Sequence, residues 1–429
     1  MSTEQSTSRS ATPTPGGGPA QPRRLDRLDE RLAEDSGVRG ALTGFARRVR
    51  AGDIGALPVV VGLVIIWTVF QSLNSVFLSS NNLVNLLFDC CAVGTIALGI
   101  VCVLMLGEID LSVGSVSGMS SALLGVLWVS KGLPLGLAMI AALVAGALIG
   151  SLYSMLYNRF GMPSFVATLA GLLAFLGLQL LLLGKSGSIN LPFDSFLVKL
   201  GQLYFLPPWL SYVVAVVAGV GSFATSFALA RRRREAGLSA SSVGFLAVRS
   251  GVLLVGLLFV VWYLDRDRGV PWMFLVFTML VLLLHYGLTR TKWGRSVTAV
   301  GGNREAARRA GIKVQRIYLS CFVLCSTLAA LGGMFGAARL ASSSQAAGTG
   351  DVNLNAIAAA VIGGTSLFGG RGNAFSALLG IIVIQSISNG LTLLDLSSAL
   401  RFMITGAVLA IAVLVDSLAR RSRAAHGAA

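Results

Sequence analysis

Charged residues are scarce in this chain of 429 residues: Asp, Glu, Lys and Arg make up 12% of it, whereas hydrophobic residues make up 55%. Soluble domains typically contain about 25% charged residues, so a soluble fold is excluded. Apolar runs of around 20 residues recur along the sequence, which is the length a helix needs to cross a bilayer. The short alternating segments of a membrane β-barrel are not found. The sequence predicts an all-α polytopic membrane protein.

Residues suited to catalytic or metal-binding chemistry are also few. The chain has two histidines and five cysteines. All the cysteines fall in apolar segments, which favours small buried hydrophobes over metal ligands or disulfides; they are Cys90, Cys91, Cys102, Cys321 and Cys325. No combination of nucleophile, base and acid indicates a catalytic site, so we expect a protein that is not an enzyme.

Two glycine-containing segments resemble phosphate-binding loops but lack required residues. Gly184–Ser186 looks like the end of such a loop, yet Gln179 stands where its first glycine belongs. Gly364–Gly370 has a similar glycine spacing, yet Arg371 stands where the motif requires lysine. We therefore expect no nucleotide, cofactor or metal site within this chain.

The chain is organised as a polar leader, a membrane domain and a short tail. Residues 1–54 are rich in small, polar and charged residues, so we expect a disordered cytoplasmic leader. Residues 55–418 form the predicted transmembrane domain, and residues 419–429 form the predicted cytoplasmic tail. The twelve predicted spans are approximately 57–78, 83–106, a third ending near 129, 134–159, 164–183, 209–230, 245–264, 271–288, 317–338, 353–368, 374–394 and 402–418.

The basic residues set the predicted orientation. The net charge is +16, and Lys and Arg are concentrated in every second loop. Because cytoplasmic loops carry the excess of Lys and Arg, this distribution predicts that both termini are cytoplasmic. In a membrane protein such charge indicates contact with anionic lipid rather than with nucleic acid. The tenth segment is short, and the orientation requires it to cross or to pair with another half-helix.

The loop 290–316 is strongly basic, and Glu305 is its only acid. Asn303 is a good N-cap, Glu305 and Arg308 suit the two ends of a helix dipole, and Gly311 supplies a left-handed C-cap. The sequence predicts a helix of about two turns, which is too short to be stable alone in water. The loop is either a lipid-facing surface that obeys the positive-inside rule or a docking element for a cytoplasmic partner.

Glu108 and Asp110 interrupt the apolar pattern between the second and third spans. One interpretation is that Asp110 caps the third span, with both anions at the positive end of its dipole. The other is that the two carboxylates line a water-filled cavity, since ionisable groups within a membrane usually face a pathway. Both interpretations can hold together.

Neutral polar residues also occur at span depth. Such groups suit a neutral, hydroxyl-rich solute better than an ion, although hydrogen bonding between helices explains them equally well. The small residues of the third span, from Gly114 to Ser121, permit close helix packing. The candidate substrate-pathway residues are Glu108, Asp110, Ser112, Thr168, Gln179, Asn353, Asn355 and Thr365.

Several ordered segments resemble the permease subunits of ribose/xylose-type bacterial ABC sugar importers. Together they cover most of residues 80–185 and 285–417, and the fourth is the most specific. The segments are Gly107–Ser115 (GEIDLSVGS), Met162–Leu169 (MPSFVATL), Val300–Ile312 (VGGNREAARRAGI) and Val361–Asn389 (VIGGTSLFGGRGNAFSALLGIIVIQSISN), followed by Ile411–Asp416 (IAVLVD).

The resemblance implies an ABC importer permease fold in the bacterial cell membrane. Two permease subunits, expected to be a homodimer, form the channel; two cytoplasmic ATPases bind ATP and Mg; and an extracytoplasmic sugar-binding protein delivers the solute. It also implies that the helix within 290–316 seats in a cleft of the ATPase. The corresponding coupling residues are Asn303, Glu305, Ala306, Ala307, Arg308 and Gly311.

Two features depart from the family pattern. Residues 209–264 add a pair of spans, as in the longer xylose-type branch, and Glu108 follows Gly107 where the family usually has a second glycine. We expect a permease for a monosaccharide, with a xylose-like pentose favoured. The alternatives are a permease of the same design for another small solute, a twelve-span secondary transporter, and a membrane scaffold without transport activity.

Overall fold

The computed structural model describes residues 57–397, 399–407, 410 and 414 of the chain. The leader 1–54 and the tail 419–429 lie outside these residues, and the predicted span 402–418 is described only in part. The described residues are mostly helical, which agrees with the predicted all-α class.

The helices are numbered here in chain order, and residues 399–407 are helical as well. They are α1 (Leu57–Leu73), α2 (Ser80–Met105), α3 (Val113–Gly125, extended by a π-helical turn Val126–Ser130), α4 (Leu135–Phe160), α5 (Ser164–Leu183), α6 (Phe196–Gln202), α7 (Pro208–Glu235), α8 (Val243–Leu264), α9 (Trp272–Arg290), α10 (Lys292–Gly302), α11 (Arg304–Arg309), α12 (Val314–Leu340), α13 (Val352–Ile362) and α14 (Ala374–Leu393). Two short strands, β1 (Ser188–Asn190) and β2 (Ser342–Ser344), pair antiparallel.

Nine helices in the described part of the chain are long and apolar enough to cross a membrane: α2 to α5, α7 to α9, α12 and α14. Two shorter apolar helices, α1 and α13, accompany them. This establishes a polytopic helical protein. The count of twelve spans and the cytoplasmic location of both termini stay predictions.

Most predicted spans differ from the observed helices by a few residues, and two differences have clear causes. The sixth span was predicted to end before Arg231–Arg234, but α7 continues to Glu235, because arginine is a good helix former and is favourable near a helix C-terminus. The tenth was predicted over 353–368, but α13 ends at Ile362. Gly363 and Gly364 follow it, and Gly364 has φ +104°.

The core is built around α2 and α12. Most residues of α2 are buried inside the protein. The two helices approach closely where Gly99 faces Cys325, since a Cβ at Gly99 would lie 2.9 Å from the Cys325 Cα. Small residues at such positions let helix backbones meet, which is the main route to close packing in membranes.

The chain between α12 and α13, called here the extended segment, starts as strand β2, continues through turns and runs along α3. At its start, the Ser343 Oγ donates to the backbone oxygen of Ser121 at 2.7 Å. Further on, Gly348 lies against Gly114 and Ser117, about two turns of α3 away. The small face of α3 was predicted to pack against helices; it also accommodates this extended segment. Irregular backbone at membrane depth is tolerated where protein buries it.

The connections lie at two ends of the helical bundle. One end, called the Glu108 end, gathers residues 106–112, 161–163, 291–313 and 363–373; there the Gly370 N–H donates to the Met105 oxygen at 2.9 Å. At the other, called the Arg339 end, the Arg339 Nε lies 2.9 Å from the Asp89 Oδ1. The extended segment and α13 together lead the chain from the Arg339 end to the Glu108 end. Whether the tenth segment crosses the membrane stays a prediction.

The segment Ala218–Leu254 forms a compact unit of its own. Within it, parts of α7 and α8 pack together, and Leu254 fills the space beside Gly219. The Arg231 Nε and the Glu235 Oε1 form an exposed ion pair at 2.8 Å. The stretch 209–264 is occupied by α7 and α8. That this pair is an insertion stays a prediction.

Candidate coupling and translocation site

The predicted short helix of the basic loop is present as α11. The Asn303 Oδ1 accepts a hydrogen bond from the Ala306 N–H at 2.9 Å, which is the predicted N-cap. The Arg308 Nη2 lies 3.0 Å from the Glu305 Oε2, one turn away. Gly311 follows the last turn with φ +83°, the left-handed conformation that glycine adopts without strain.

Most of the α11 surface faces outwards. Ala307 is its one buried residue, whereas Ala306 and Arg309 are exposed. The side chains of Glu305 and Arg308 are 59% and 70% exposed. A helix of six residues gains little stability from its own hydrogen bonds, so it depends on its caps, on Ala307 and on whatever covers the exposed face.

The sequence interpretation missed α10, which occupies the first half of the predicted loop. The Thr291 Oγ1 caps it by accepting from the Gly294 N–H at 3.2 Å. Val297 and Val300 are buried on one side of α10, and Arg295 is exposed on the other. This amphipathic pattern around a Thr N-cap is a signal that could have predicted the helix.

Glycines join α10 to two other connections at the Glu108 end. A Cβ on Gly301 would overlap the carbonyl oxygen of Met105, and a Cβ on Gly369 would lie 2.6 Å from the Gly301 oxygen. Gly369 and Gly370 have φ values of +81° and +72°. The linker after α2, the end of α10 and the loop before α14 therefore touch backbone to backbone, so a displacement of one is resisted by the other two.

Glu108 is the centre of a polar cluster at the same end. Its Oε1 accepts from the Tyr157 hydroxyl at 2.6 Å and from the Tyr318 hydroxyl at 3.2 Å. Its Oε2 accepts from the Ser164 Oγ at 2.5 Å. The Arg304 Nη1 donates to the Tyr157 oxygen at 3.0 Å. The half-buried Glu108 carboxylate thus accepts hydrogen bonds from hydroxyl groups of α4, α5 and α12. The Arg304 guanidinium does not reach Glu108 and bonds the Tyr157 hydroxyl instead.

Sequence reasoning had named Glu108 but none of these partners. Tyr157 and Tyr318 stack at 4.6 Å between ring centroids, with 11° between the rings, and the Arg304 guanidinium lies 5.3 Å from each centroid. Both tyrosines lie near the ends of spans, and a carboxylate at a span end requires hydrogen-bond donors. These two features could have predicted that the tyrosines bind Glu108.

Asp110 is fully buried two residues further along. Its Oδ1 accepts from the Ser112 N–H at 2.8 Å and from the Ser112 Oγ at 2.7 Å. The predicted capping of α3 by Asp110 is not observed: the N-cap is Ser112, which makes no side-chain cap hydrogen bond, and Asp110 instead binds Ser112. Burial raises the pKa of the Asp110 carboxyl, and the hydrogen bonds from Ser112 partly oppose this shift.

Two further candidates hold the start of α3. The Thr168 Oγ1 accepts from the Leu111 N–H at 3.1 Å. The Asn353 Oδ1 accepts from the Gly114 N–H. Both side chains satisfy backbone donors where α2 gives way to α3, which fits the interpretation of hydrogen bonding between elements. Glu108, Asp110, Ser112, Thr168 and Asn353 are therefore brought together along one stretch of chain.

The remaining candidates lie apart from this stretch. The Gln179 Nε2 donates to the oxygens of Ser344 and Ala347, each at 2.9 Å, and so ties α5 to the extended segment. The Asn355 Nδ2 donates to the Asp351 Oδ2 at 2.7 Å. Thr365 is buried in the loop that follows α13. The eight candidates do not converge on one site.

Beside α13 there is a cavity of about 400 Å³. The pocket is half open and its lining is mostly apolar, with one carboxylate, one amide and one hydroxyl group beside an aromatic ring; the lining residues are Gly350, Asp351, Leu354, Asn355, Ala358, Phe402, Thr405 and Gly406. Neither Glu108 nor Asp110 lines it. Ligand pockets usually fall between about 300 and 1,000 Å³, so this cavity has the size of a small-molecule site.

The five cysteines are buried, as predicted. No three His, Cys, Asp or Glu side chains approach one another closely enough to hold a metal ion within the residues that the structure describes.

Known proteins resemble this chain along most of its length. The xylose transport system permease XylH of Escherichia coli (strain K12) is 34% identical over 367 residues, which are 85% of this chain and 91% of that protein. The ribose import permease RbsC of Bacillus subtilis (strain 168) is 34% identical over 365 residues, or 85% of this chain and 94% of that protein. XylH of Haemophilus influenzae is 33% identical over 376 residues, or 86% and 98%. No solved structure shows significant similarity to the chain.

The family model described as a branched-chain amino acid transport system permease component matches residues 82–413. The relatives are transport permeases rather than enzymes, and the long apolar helices agree with a multi-pass protein of the bacterial cell membrane. These matches favour an ABC permease over the secondary transporter and the scaffold that the sequence left open. The chain belongs to the family of branched-chain amino acid transport system permease components, as a sugar permease of the ribose/xylose type that serves ABC transporters.

Proposed function

We propose that this chain is the permease subunit of an ABC importer that moves a monosaccharide, a xylose-like pentose, by ATP-driven alternating access. The observation that carries the proposal is the 34% identity with a xylose transport permease over 91% of that protein. In the proposed assembly two copies of the chain form the channel. A cytoplasmic ATPase binds ATP and Mg, and an extracytoplasmic sugar-binding protein delivers the solute.

The exposed face of α11 supports the proposed ATPase contact. Asn303, Glu305 and Arg308 present polar groups on a helix with one buried residue, and such a helix gains stability when a partner cleft covers it. In this proposal Ala306, Ala307 and Gly311 shape the same element. The Glu108 end is then cytoplasmic, the chain crosses twelve times, and both termini lie in the cytoplasm.

The interrupted crossing near α13 supports the proposed pathway. In transporters, irregular backbone at membrane depth is tolerated where it lines a cavity, and discontinuous helices often form substrate sites. Here an extended segment precedes α13, and the cavity beside it offers Asp351, Asn355 and Thr405 next to Phe402. Neutral and acidic acceptors beside an aromatic ring suit the hydroxyl groups and the apolar face of a sugar.

The proposed cycle follows from these parts. ATP closes the ATPase dimer, and the ATPase displaces α11. The displacement passes to the helices that border the pathway, so the cavity between the two permeases changes the side to which it opens. Hydrolysis restores the first state.

The test begins with purification of the full-length chain from native membranes in mild detergent. We expect an ATPase with a phosphate-binding loop and a secreted sugar-binding protein to co-elute. Vesicles that contain the permease, that ATPase and that binding protein should take up radiolabelled xylose only with ATP and Mg on the ATPase side. Uptake without the ATPase that is abolished by an uncoupler would contradict the proposal.

A permease of the same design for another small solute is the second candidate. It is favoured by one observation: the ribose permease of Bacillus subtilis matches with the same 34% identity as the xylose permease. Calorimetry of the co-eluting binding protein with xylose, ribose and branched-chain amino acids separates the two. The solute that binds most tightly should also be the one transported.

A further inference from the structure

Arg304 makes the one side-chain hydrogen bond that links α11 to the membrane helices, as far as the described residues go. The other hydrogen bonds of α11 stay within residues 303–312, such as Glu305 with Arg308 and Asn303 with Ala306. Apart from this bond and the Arg304 contact with the two tyrosine rings, α11 is anchored by Ala307 and by its chain connections to α10 and α12. A force applied to the exposed face of α11 must therefore pass through Arg304, through Ala307, or along the chain.

The Arg304 contact leads directly to Glu108. The guanidinium donates to the Tyr157 oxygen, and the same hydroxyl donates to the Glu108 Oε1 at 2.6 Å. Tyr318 repeats the arrangement, because its ring lies under Arg304 and its hydroxyl also donates to Glu108. One cation and one carboxylate are thus bridged by two stacked phenols. Hydrogen bonds to an ionised group are stronger and more directional than neutral ones, so the bridge is stiff.

Glu108 in turn lies in the linker that orients α3. Two residues later, Asp110 holds Ser112, and after it Thr168 and Asn353 hold the first amides of the α3 region. The small-residue face of α3 borders the extended segment that leads to α13. Movement of Glu108 therefore changes the position of the element that lies nearest to the interrupted crossing.

We propose that Arg304, Tyr157, Tyr318 and Glu108 form a joint that transmits the displacement of α11 to the linker 106–112. They are positioning residues that act on α3 and touch neither ATP nor sugar. The inference rests on the proposed function, because it assumes that an ATPase moves α11. The backbone contacts of Gly301 and Gly369 keep α10, the linker 106–112 and the loop before α14 at constant spacing. The displacement of α11 therefore rotates the linker and does not pull it away from α10.

The test measures sugar transported per ATP hydrolysed in vesicles that contain the permease, its ATPase and its binding protein. Glu108→Gln, Arg304→Gln and the Tyr157→Phe/Tyr318→Phe pair should each lower this ratio about fivefold, the lower range of known coupling energies. The Glu108→Gln/Arg304→Gln double variant should be no worse than either single variant, since both remove the same joint. Arg304→Lys should restore part of the ratio.

Matched controls come from the same region and the same residue types. Arg159→Gln alters an exposed arginine two residues after Tyr157, and Tyr286→Phe alters an exposed tyrosine of α9. Both should keep the ratio within about twofold of the original, as is usual for surface changes. Co-purification of the ATPase and the unfolding temperature should be unchanged in the Arg304→Gln variant, which separates transmission from docking and from folding.

Three results would overturn the inference: an unchanged ratio in Glu108→Gln and Arg304→Gln, losses that multiply in the double variant, or a loss that matches loss of the ATPase from the complex. Failure of the proposed function has a different signature. In that case the unsubstituted complex itself shows no ATP-driven uptake, and the inference is overturned together with it.

Discussion

At the scale of single residues, the helices meet where glycine leaves room for a backbone. Gly380 of α14 is the clearest case, because a Cβ there would overlap the carbonyl oxygen of Ala359 in α13. Neither backbone can yield as a flexible side chain would. The packing of α13 against α14 therefore requires glycine at position 380, because the methyl group of alanine does not fit there. The position of the cavity beside α13 depends on this packing.

Gly380→Ala should therefore lower the free energy of unfolding by about 1 to 3 kcal/mol, which is the usual cost of overpacking. The measurement is thermal unfolding of the detergent-solubilised permease, together with sugar uptake. Gly177→Ala in α5 is the matched control, since nothing lies within 4 Å of the added Cβ. Equal unfolding temperatures for the two variants would contradict this account of the packing.

Asp351 offers a residue-scale test of the cavity. Its Oδ2 accepts from Asn355 at 2.7 Å. Asp351→Asn keeps an oxygen in place but removes the charge that would accept sugar hydroxyls. We expect the sugar concentration for half-maximal uptake to rise about tenfold, the loss of one hydrogen bond to a charged group.

The control for Asp351 is Asp194→Asn. The Asp194 side chain is 99% exposed and lies 3.6 Å from Lys199, an exposed pair of the kind that contributes little. The half-maximal concentration should not change in this variant. A rise in both variants, or in neither, would place the sugar elsewhere.

At the scale of elements, local signals predicted some helices well and long-range contacts decided the rest. The span 164–183 was predicted to the residue, because Pro163 precedes it and Gly184 follows it. The end of α7 was missed because the four arginines were taken as a stop, although arginine favours helix. The extended segment before α13 could not be predicted, since its conformation depends on the face of α3 that it contacts.

In the candidate site too, the local features were predictable from the sequence and the long-range contacts were not. The caps of α11 are local, so Asn303 and Gly311 were identified from spacing alone. The hydroxyl partners of Glu108 come from positions 157, 164 and 318, Arg304 bonds the first of them, and the spacing of these positions in the sequence does not link them. Polarity at Glu108 showed that partners were required, but only the fold shows which ones they are.

Gly311→Val tests the element-scale role of α11. At φ +83° a β-branched residue is strained by about 1 to 2 kcal/mol, which disturbs the end of a helix that has little stability to lose. We expect the amount of ATPase that co-purifies to fall several-fold. Gly256→Val in α8, where the added Cβ meets nothing within 4 Å, should leave it unchanged.

At the scale of the whole molecule, the proposed orientation is open to direct measurement. The native cysteines are buried, so the unsubstituted protein should react little with a membrane-impermeant maleimide. Asp194→Cys at the Arg339 end should be labelled from outside intact cells. Arg309→Cys at the Glu108 end should be labelled only after the membrane is opened. Labelling of Arg309→Cys from outside would reverse the proposed topology.

The position of α2 at the centre of the protein also affects how the chain is made. Its polar residues depend on partners that are synthesised much later: Asn82 bonds Asn389, and Asp89 bonds Arg339 and, through its backbone oxygen, Gln385. At the usual 5 to 20 residues per second, the ribosome needs about 15 to 60 s to pass from the end of α2 to the end of α14. During that interval α2 is already in the bilayer, or is held beside it, without the groups that bind its polar side chains. We therefore expect the biogenesis of this permease to depend on how long α2 persists before α12 and α14 have been made.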